Sequence, residues 1–409
     1  MDIFFQELKR QLNFKRLITY ILIAITLAGL WAWFIVGGAT EGFMQTGCYK
    51  DYKGKAAIEV AAKDRNVTAG EMTEDKFQRG CDTFLNSLKS DGEKSNIVMT
   101  KDLLEHAVYA DILVMQELRL RNMRGESTEH LLDIPKDAGR HFYENEDLYY
   151  RDYIDKNAHN ESEKALALSI WNSVKKPYTY YSGFTQWANG IEHMMFFSFV
   201  LMIMGGIFAG SIIAKDKENG MDEIITTTMK GRKNLTVAKI VIPWVMAFII
   251  YLCGVGVYVV LLRLLLPADA LNTSIQVFSE SFLPYNQGEL LRNLFVFGAI
   301  GILTVASFST WISSIAKKSS KAIQFSILTI LGAFLLGVFI NIDAPIIDVI
   351  KILLPGGATF SYLQFVGLSK FPMITLYGKV FLIPSILLIV SGVIFLLSTV
   401  FTALNYRRR

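Results

Sequence analysis

The stretch MMFFSFVLMIMGGIFAGSIIAKDKENG, from Met194 to Gly220, decides the fold class. Its apolar part runs from Met194 to Ala214 without a charged side chain. About 20 such residues cross the hydrocarbon core of a bilayer as a helix, which is the expected form because lipid offers the backbone no hydrogen-bond partners. The charges from Lys215 to Glu218 end the apolar run. The stretch therefore predicts a membrane span that leads into a charged connection.

Five more apolar blocks repeat this pattern along the chain. We predict six transmembrane helices, at residues 17–36, 190–213, 240–266, 293–315, 322–342 and 379–402. The 409 residues are 52% hydrophobic and have a mean hydropathy of +0.34, a value that soluble chains of this length rarely reach. The predicted fold class is an all-α polytopic membrane protein, with residues 190–409 as its transmembrane domain.

Basic residues set the expected orientation. They precede the first block (Lys9, Arg10, Lys15, Arg16) and cluster after the second, fourth and sixth, so that every second connection is basic. Lys and Arg accumulate on the cytoplasmic side of membrane proteins. Both termini are therefore expected in the cytoplasm of a multi-pass plasma-membrane protein. Residues 1–16 place Ile3, Phe4, Leu8 and Leu12 on one helical face, which predicts an amphipathic helix lying on the cytoplasmic membrane surface.

Residues 37–189 form one long insertion between the first and second spans, expected on the extracellular side. Residues 39–187 carry 25 acidic and 20 basic side chains, whereas the rest of the chain has 12 acidic and 21 basic ones. Apolar residues recur at helical spacing in segments that begin near Thr73, Thr100 and Ser162. The insertion therefore predicts a mainly α-helical domain large enough to bury its own core.

Two of the three cysteines, Cys48 and Cys81, fall in this domain, and the third is Cys253 in the third span. An extracellular pair is compatible with a disulfide that closes a loop of about 33 residues. Two buried free thiols are the alternative, because spacing alone does not fix connectivity.

Motifs for enzymatic chemistry are missing from the sequence. It contains no Gly-x4-Gly-Lys-Ser/Thr phosphate loop, no His-Glu-x-x-His zinc helix and no Gly-x-Ser-x-Gly elbow. The chain is therefore predicted not to be an enzyme by itself, and to hold no metal, cofactor or nucleic acid. Glu192 and His193, near the outer end of the second span, either lie at the interface or line a substrate path.

The connection between the second and third spans carries the most specific signal. It reads Asp216-Lys217-Glu218-Asn219-Gly220-Met221-Asp222-Glu223-Ile224-Ile225, followed by a basic cluster from Lys230 to Lys233 and by Lys239. This segment, 214–239, resembles the coupling helix of ABC-2-type transporter permeases. It departs from the family pattern in having Met221 after the glycine and Met229 before the basic cluster. The outer domain after the first span is similar to the branch of exporter permeases that carries such an insertion.

This resemblance implies the partners and the site residues. Asp216, Glu218, Gly220, Asp222, Glu223, Lys230 and Arg232 would dock on a separate ATP-binding subunit, present in two copies and carrying the ATP and magnesium. A second permease, identical or related, would complete the pathway in a bacterial membrane. Residues 343–373, broken at Pro355-Gly356-Gly357, resemble the family's re-entrant helices, an interfacial loop being the alternative.

The predicted function is half of an export pathway for an amphipathic or antimicrobial peptide or a hydrophobic drug. Sodium export is the rival within the family. A membrane sensor with an extracellular ligand-binding domain is the rival from another class, but the short inner connections leave no room for a signalling domain. A membrane enzyme is the third alternative.

Overall fold

A computed structural model of the chain describes residues 7, 9–11, 14–39, 51–91, 94–98, 100–127, 134–221, 229–340, 345–367 and 370–407. Within these residues, six helices are long and apolar enough to cross a membrane. They are α1 (Phe14–Gly37), α7 (Phe184–Ser211), α9 (Met229–Leu265), α10 (Gln287–Ile315), α11 (Ser319–Val338) and α14 (Ile383–Arg407). The predicted all-α polytopic fold is confirmed.

Helices α7 and α10 form the centre of the membrane region, since their apolar stretches are the most buried of the six. Glycines allow the close approach of neighbouring helices. A Cβ atom at Gly206 would lie 2.7 Å from Ile330 Cδ1, and one at Gly210 would lie 3.4 Å from Ile323 Cα. The Gly-x-x-x-Gly pair of the second span thus packs against α11 of the same chain.

The helices of all six spans begin at residues other than the predicted ones, and two of these starts change the interpretation of a neighbouring segment. Helix α9 starts at Met229, so residues 229–239 of the predicted coupling segment continue directly into the third span. Helix α14 starts at Ile383, because residues 373–382 form the hairpin of β5 (Met373–Leu376) and β6 (Lys379–Leu382). The hairpin turns at Tyr377 and Gly378, which both have positive φ.

The insertion between α1 and α7 folds into a helical domain. Its helices are α2 (Lys55–Arg65), α3 (Glu74–Ser87), α4 (Lys101–Arg124), α5 (Phe142–Asn157) and α6 (Glu161–Ser173). The side chains of Thr73, Thr100 and Asn160 accept hydrogen bonds from the first turns of α3, α4 and α6, as preferred N-caps do. Short strands accompany the helices: β1 (Gly70–Glu71), β2 (Leu88–Asp91), β3 (Lys94–Ile97) and β4 (Thr179–Tyr180).

The core of the inserted domain combines aromatic stacking with a buried ion pair. Phe77 stacks on Phe142 with ring centroids 3.6 Å apart. Glu146, which is 1% exposed, receives hydrogen bonds from Gln116 (2.8 Å), Arg119 (3.0 Å) and Tyr178 (3.1 Å). A buried carboxylate is tolerated when its oxygens are paired in this way.

The domain is attached to the membrane region where the chain leaves it toward α7. Strands β1 and β4 pair antiparallel, and the Thr179 backbone N–H donates to Ser274 Oγ (2.9 Å) in the connection between α9 and α10. The Trp187 indole donates to the carbonyl of Pro267 (2.9 Å). We call the membrane face that carries this domain the domain side, and the opposite face the terminal side.

The region predicted as re-entrant lies on the domain side. It contains α12 (Pro345–Leu353) and α13 (Gly357–Val366), which the left-handed Gly356 separates. Lys351 of α12 is fully buried and donates to the carbonyl of Ile340 (2.5 Å) and to Gln364 Oε1 (3.2 Å). These bonds join the two short helices to each other and to the end of α11.

Candidate functional site

Four charged side chains form a cluster on the terminal side, three of them buried and the fourth, Arg10, at its exposed edge. Glu7 lies in the N-terminal segment, where residues 7 and 9–11 are helical, together with Arg10. Asp216 belongs to the short helix α8 (Ala214–Glu218), and Lys239 belongs to the third turn of α9. Lys239, Asp216 and Glu7 are 0%, 4% and 7% exposed. We call these four residues the ion cluster.

Each acid of the ion cluster contacts both bases. Arg10 Nη2 lies 2.7 Å from Glu7 Oε1 and 2.9 Å from Asp216 Oδ2. Lys239 Nζ lies 2.7 Å from Glu7 Oε1, also pairs with Asp216, and donates to the carbonyl of Ile212 (3.2 Å). The two positive and two negative charges cancel, which is the condition under which buried charges are stable.

The protonation of Glu7 reflects this pairing. Burial by itself raises the pKa of a carboxyl group, because it disfavours the charged form. The hydrogen bonds from Arg10 and the charge of Lys239 outweigh burial and lower the pKa of Glu7 from 4.5 to about 2. Glu7 is therefore ionised throughout the neutral range.

A second set of contacts ties α8 to the connection between α10 and α11. Ser313 Oγ accepts hydrogen bonds from the backbone N–H groups of Ile213 (3.0 Å) and Ala214 (2.9 Å), and Lys217 donates to the carbonyl of Ser314. Glu218 Oε2 accepts from the backbone N–H (3.2 Å) and the hydroxyl (2.7 Å) of Ser319, at the first residue of α11. Helix α8 is thus attached to the N-terminal segment, α9, α10 and α11.

The residues predicted to contact an ATPase occupy different environments. Asp216 points into the ion cluster, and Glu218 caps α11 from the surface. Gly220 follows α8 in a left-handed conformation (φ 67°) that favours glycine. Lys230 and Arg232 belong to the first turn of helix α9. Asp222 and Glu223 lie outside the described residues.

Sequence reasoning did not assign Glu7, Arg10 or Ser319 to this site. It included Lys239 as the last residue of the coupling segment, but not as a partner of Asp216. A signal was available for Glu7, an acid in a predominantly basic segment, and for Lys239, a charge where an apolar span begins. Their pairing depends on the packing of α9 against the N-terminal segment, which no local pattern specifies.

A cavity of about 390 Å³ lies among the domain-side ends of α7, α10 and α11. Glu192 lines it beside apolar side chains that include Met195, Leu290 and Phe360. His193 points elsewhere, and its ring packs near those of Phe34 (5.7 Å) and Phe196 (5.5 Å). The structure thus places the two candidate substrate-path residues on different faces of α7.

The predicted disulfide is not tested. Cys81 is buried in α3, and its Sγ lies 3.4 Å from the carbonyl oxygen of Pro135. Cys48 lies outside the described residues, so its pairing with Cys81 stays a prediction.

A comparison with known families identifies a match over most of the chain. The family described as ABC-2 family transporter protein matches residues 102–401, which include most of the inserted domain and five of the six spans. No curated protein matches the chain.

Proposed function

Because the chain belongs to the ABC-2 family of transporter proteins, we propose that it is the membrane permease of an exporter driven by a separate ATP-binding subunit. The observation that supports this most directly is the ion cluster. It holds Asp216, which lies in the connection between α7 and α9, against Lys239, which lies inside α9. A force applied to this connection by a partner would reach α7, α9 and the N-terminal segment together.

The proposal assigns the terminal side to the cytoplasm. This side carries the basic residues Lys317 and Lys318 and the connection with Lys230 and Arg232, as the distribution of Lys and Arg in membrane proteins requires. Two ATP-binding subunits, holding ATP and magnesium, would act on two permeases that are identical or related.

The cargo we propose is an amphipathic peptide or a hydrophobic drug. The cavity beside Glu192 supports this class, because its walls are mostly apolar and one carboxylate lies among them. Such a site suits a ligand with a large apolar surface and a positive group. A sodium ion would instead require several converging oxygen ligands.

Copurification tests the partner. The full chain, purified from its native membranes in mild detergent, is expected to bring a stoichiometric ATP-binding subunit with it. The double variant Glu218→Lys/Glu223→Lys should lose most of this subunit, since charge reversal places repulsion at the docking surface. Asp269→Lys, an exposed acid on the domain side, is the matched control and should retain it.

Two results would contradict the proposal. One is a chain that purifies without any ATP-binding protein under conditions that preserve other membrane complexes. The other is a double variant that retains the subunit as well as the control does.

A further inference from the structure

A second cavity, of about 410 Å³, lies where the inserted domain meets α12, the hairpin and the start of α14. Most of its wall is apolar and includes Val349, Ile352, Phe371, Met373, Ile383 and Ile386. His159, Asn160 and Glu163 reach it from the domain, and Asp348 and Lys370 from the membrane region. We call it the junction pocket.

The junction pocket is lined by charges of both signs, from Glu163, Asp348 and Lys370. Glu163 accepts hydrogen bonds from Thr375 Oγ1 (2.6 Å) and from the backbone N–H of His159 (3.0 Å). These contacts outweigh burial and lower the pKa of Glu163. Asp348 Oδ2 lies 3.3 Å from Lys370 Nζ, a side chain that is 7% exposed. The pocket thus presents both a basic and an acidic group, which suits a zwitterionic ligand.

One oxygen of this set lacks a donor. Asp348 Oδ1 is buried and has no hydrogen-bond partner among the described residues. Lys351 Nζ forms an ion pair with this oxygen at 3.7 Å, which is longer than a hydrogen bond, and its own hydrogen bonds go to Ile340 and Gln364. A buried acceptor left unpaired is unfavourable, so a ligand that brings an N–H donor to this oxygen would gain affinity.

The pocket also continues onto an exposed apolar surface. Val349, which lines it, is 49% exposed, and Ile350 and Leu353 of the same short helix are exposed beside it. Ile383 and Ile386 belong to the first turn of the sixth span. This surface therefore lies at the level where lipid headgroups meet hydrocarbon on the domain side.

We propose that the junction pocket binds a phospholipid with a primary ammonium headgroup, of the phosphatidylethanolamine type, as a resident ligand rather than as cargo. The ammonium group donates to Asp348 Oδ1, and the phosphate faces Lys370. The acyl chains leave the pocket along Val349 and Ile386. A choline headgroup carries the same charge but has no N–H, so it cannot satisfy Asp348.

Native mass spectrometry of the full chain tests this proposal. The delipidated protein is titrated with phosphatidylethanolamine and phosphatidylcholine of identical acyl chains. The wild-type chain should bind phosphatidylethanolamine about tenfold more tightly, the value of one hydrogen bond to a charged group. Asp348→Asn should lower this preference to about twofold or less while it still binds both lipids. Asp269→Asn, at an exposed carboxylate on the same side, should keep the wild-type ratio.

The ratio between the two lipids separates specific recognition from misfolding. A misfolded Asp348→Asn chain would lose both lipids, and Lys370→Gln then gives a second test, because it should weaken both phosphate-containing lipids and keep their ratio. Equal binding of the two lipids by the wild-type chain would overturn the proposal. So would a preference that persists in a folded Asp348→Asn chain. Neither outcome depends on the exporter function.

Discussion

At the scale of single residues, the ion cluster shows how a charge is stabilised away from water. Lys239 is completely buried, yet it lies within contact distance of two carboxylates and a carbonyl. Such a cluster stabilises the folded chain only when all of its charged partners are present. Loss of one partner leaves a charge that neither water nor protein neutralises.

We therefore expect Lys239→Gln to destabilise the folded chain by about 3–5 kcal/mol. Thermal unfolding of the detergent-purified chain measures this. Lys175→Gln removes a lysine that is 77% exposed, and it should shift stability by less than about 0.5 kcal/mol. The double variant Asp216→Asn/Lys239→Gln restores neutrality and should recover part of the loss. Equal midpoints for Lys239→Gln and Lys175→Gln would show that the cluster adds little.

The lowered pKa of Glu7 predicts how the stability of the folded chain changes in acid. Its pKa in the folded chain, about 2, lies below its ordinary value of 4.5, so the unfolded state takes up a proton first as the pH falls. The stabilisation from Glu7 is complete above about pH 4.5 and is lost progressively toward pH 2. Unfolding curves of the wild-type chain and Glu7→Gln should therefore differ most at neutral pH and converge in acid. A constant difference between pH 7 and pH 2.5 would contradict this assignment.

At the scale of elements, sequence periodicity located the spans because about 20 uninterrupted apolar residues leave few alternatives in lipid. It missed α5, whose buried positions include Phe142, Glu146 and Tyr150, because aromatic and acidic residues give little apolar periodicity. It also placed the start of α9 too late, because Lys239 marks the beginning of the apolar run until its carboxylate partners are known.

The contact between α7 and α11 provides a test at this scale. Gly210→Leu should push α11 away, because a Cβ there already lies 3.2 Å from Ser326 Oγ and 3.4 Å from Ile323 Cα. The rest of the leucine side chain has no room, and overpacking of this kind costs about 1–3 kcal/mol. Gly332→Leu is the matched control, because a Cβ at Gly332 has no atom within 4 Å. The thermal midpoint of the purified chain should fall for Gly210→Leu only. A similar fall for both variants would show that the introduced leucine lowers stability regardless of its contact with α11.

At the scale of the whole molecule, the uneven distribution of charge allowed the membrane topology to be predicted from the sequence. The sites that join distant segments could not be predicted in this way. The ion cluster brings together the N-terminal segment, α8 and α9, and the junction pocket brings together the domain, α12 and α14. Each needs the three-dimensional packing of elements that are far apart in the chain. Local pattern does not specify such packing.

The predicted sidedness can be measured with a membrane-impermeant maleimide on intact cells. Asp269→Cys, on the domain side, should react from outside, above the background of the unsubstituted chain. Lys318→Cys, exposed between α10 and α11, should react only after the membrane is permeabilised, because basic connections stay in the cytoplasm. The reverse pattern would invert the topology and remove the basis for placing an ATPase on the terminal side.

The long separation in sequence between Glu7 and Lys239 has a consequence for biosynthesis. The ribosome makes Glu7 more than 200 residues before it makes Lys239, its partner in the ion cluster. At about 5–20 residues per second, the N-terminal segment waits roughly 10 to 50 s for its partner. During that interval its carboxylate stays in water at the membrane surface. A nascent chain that stops before the third span never closes the cluster, so a free N-terminal segment marks an unfinished protein.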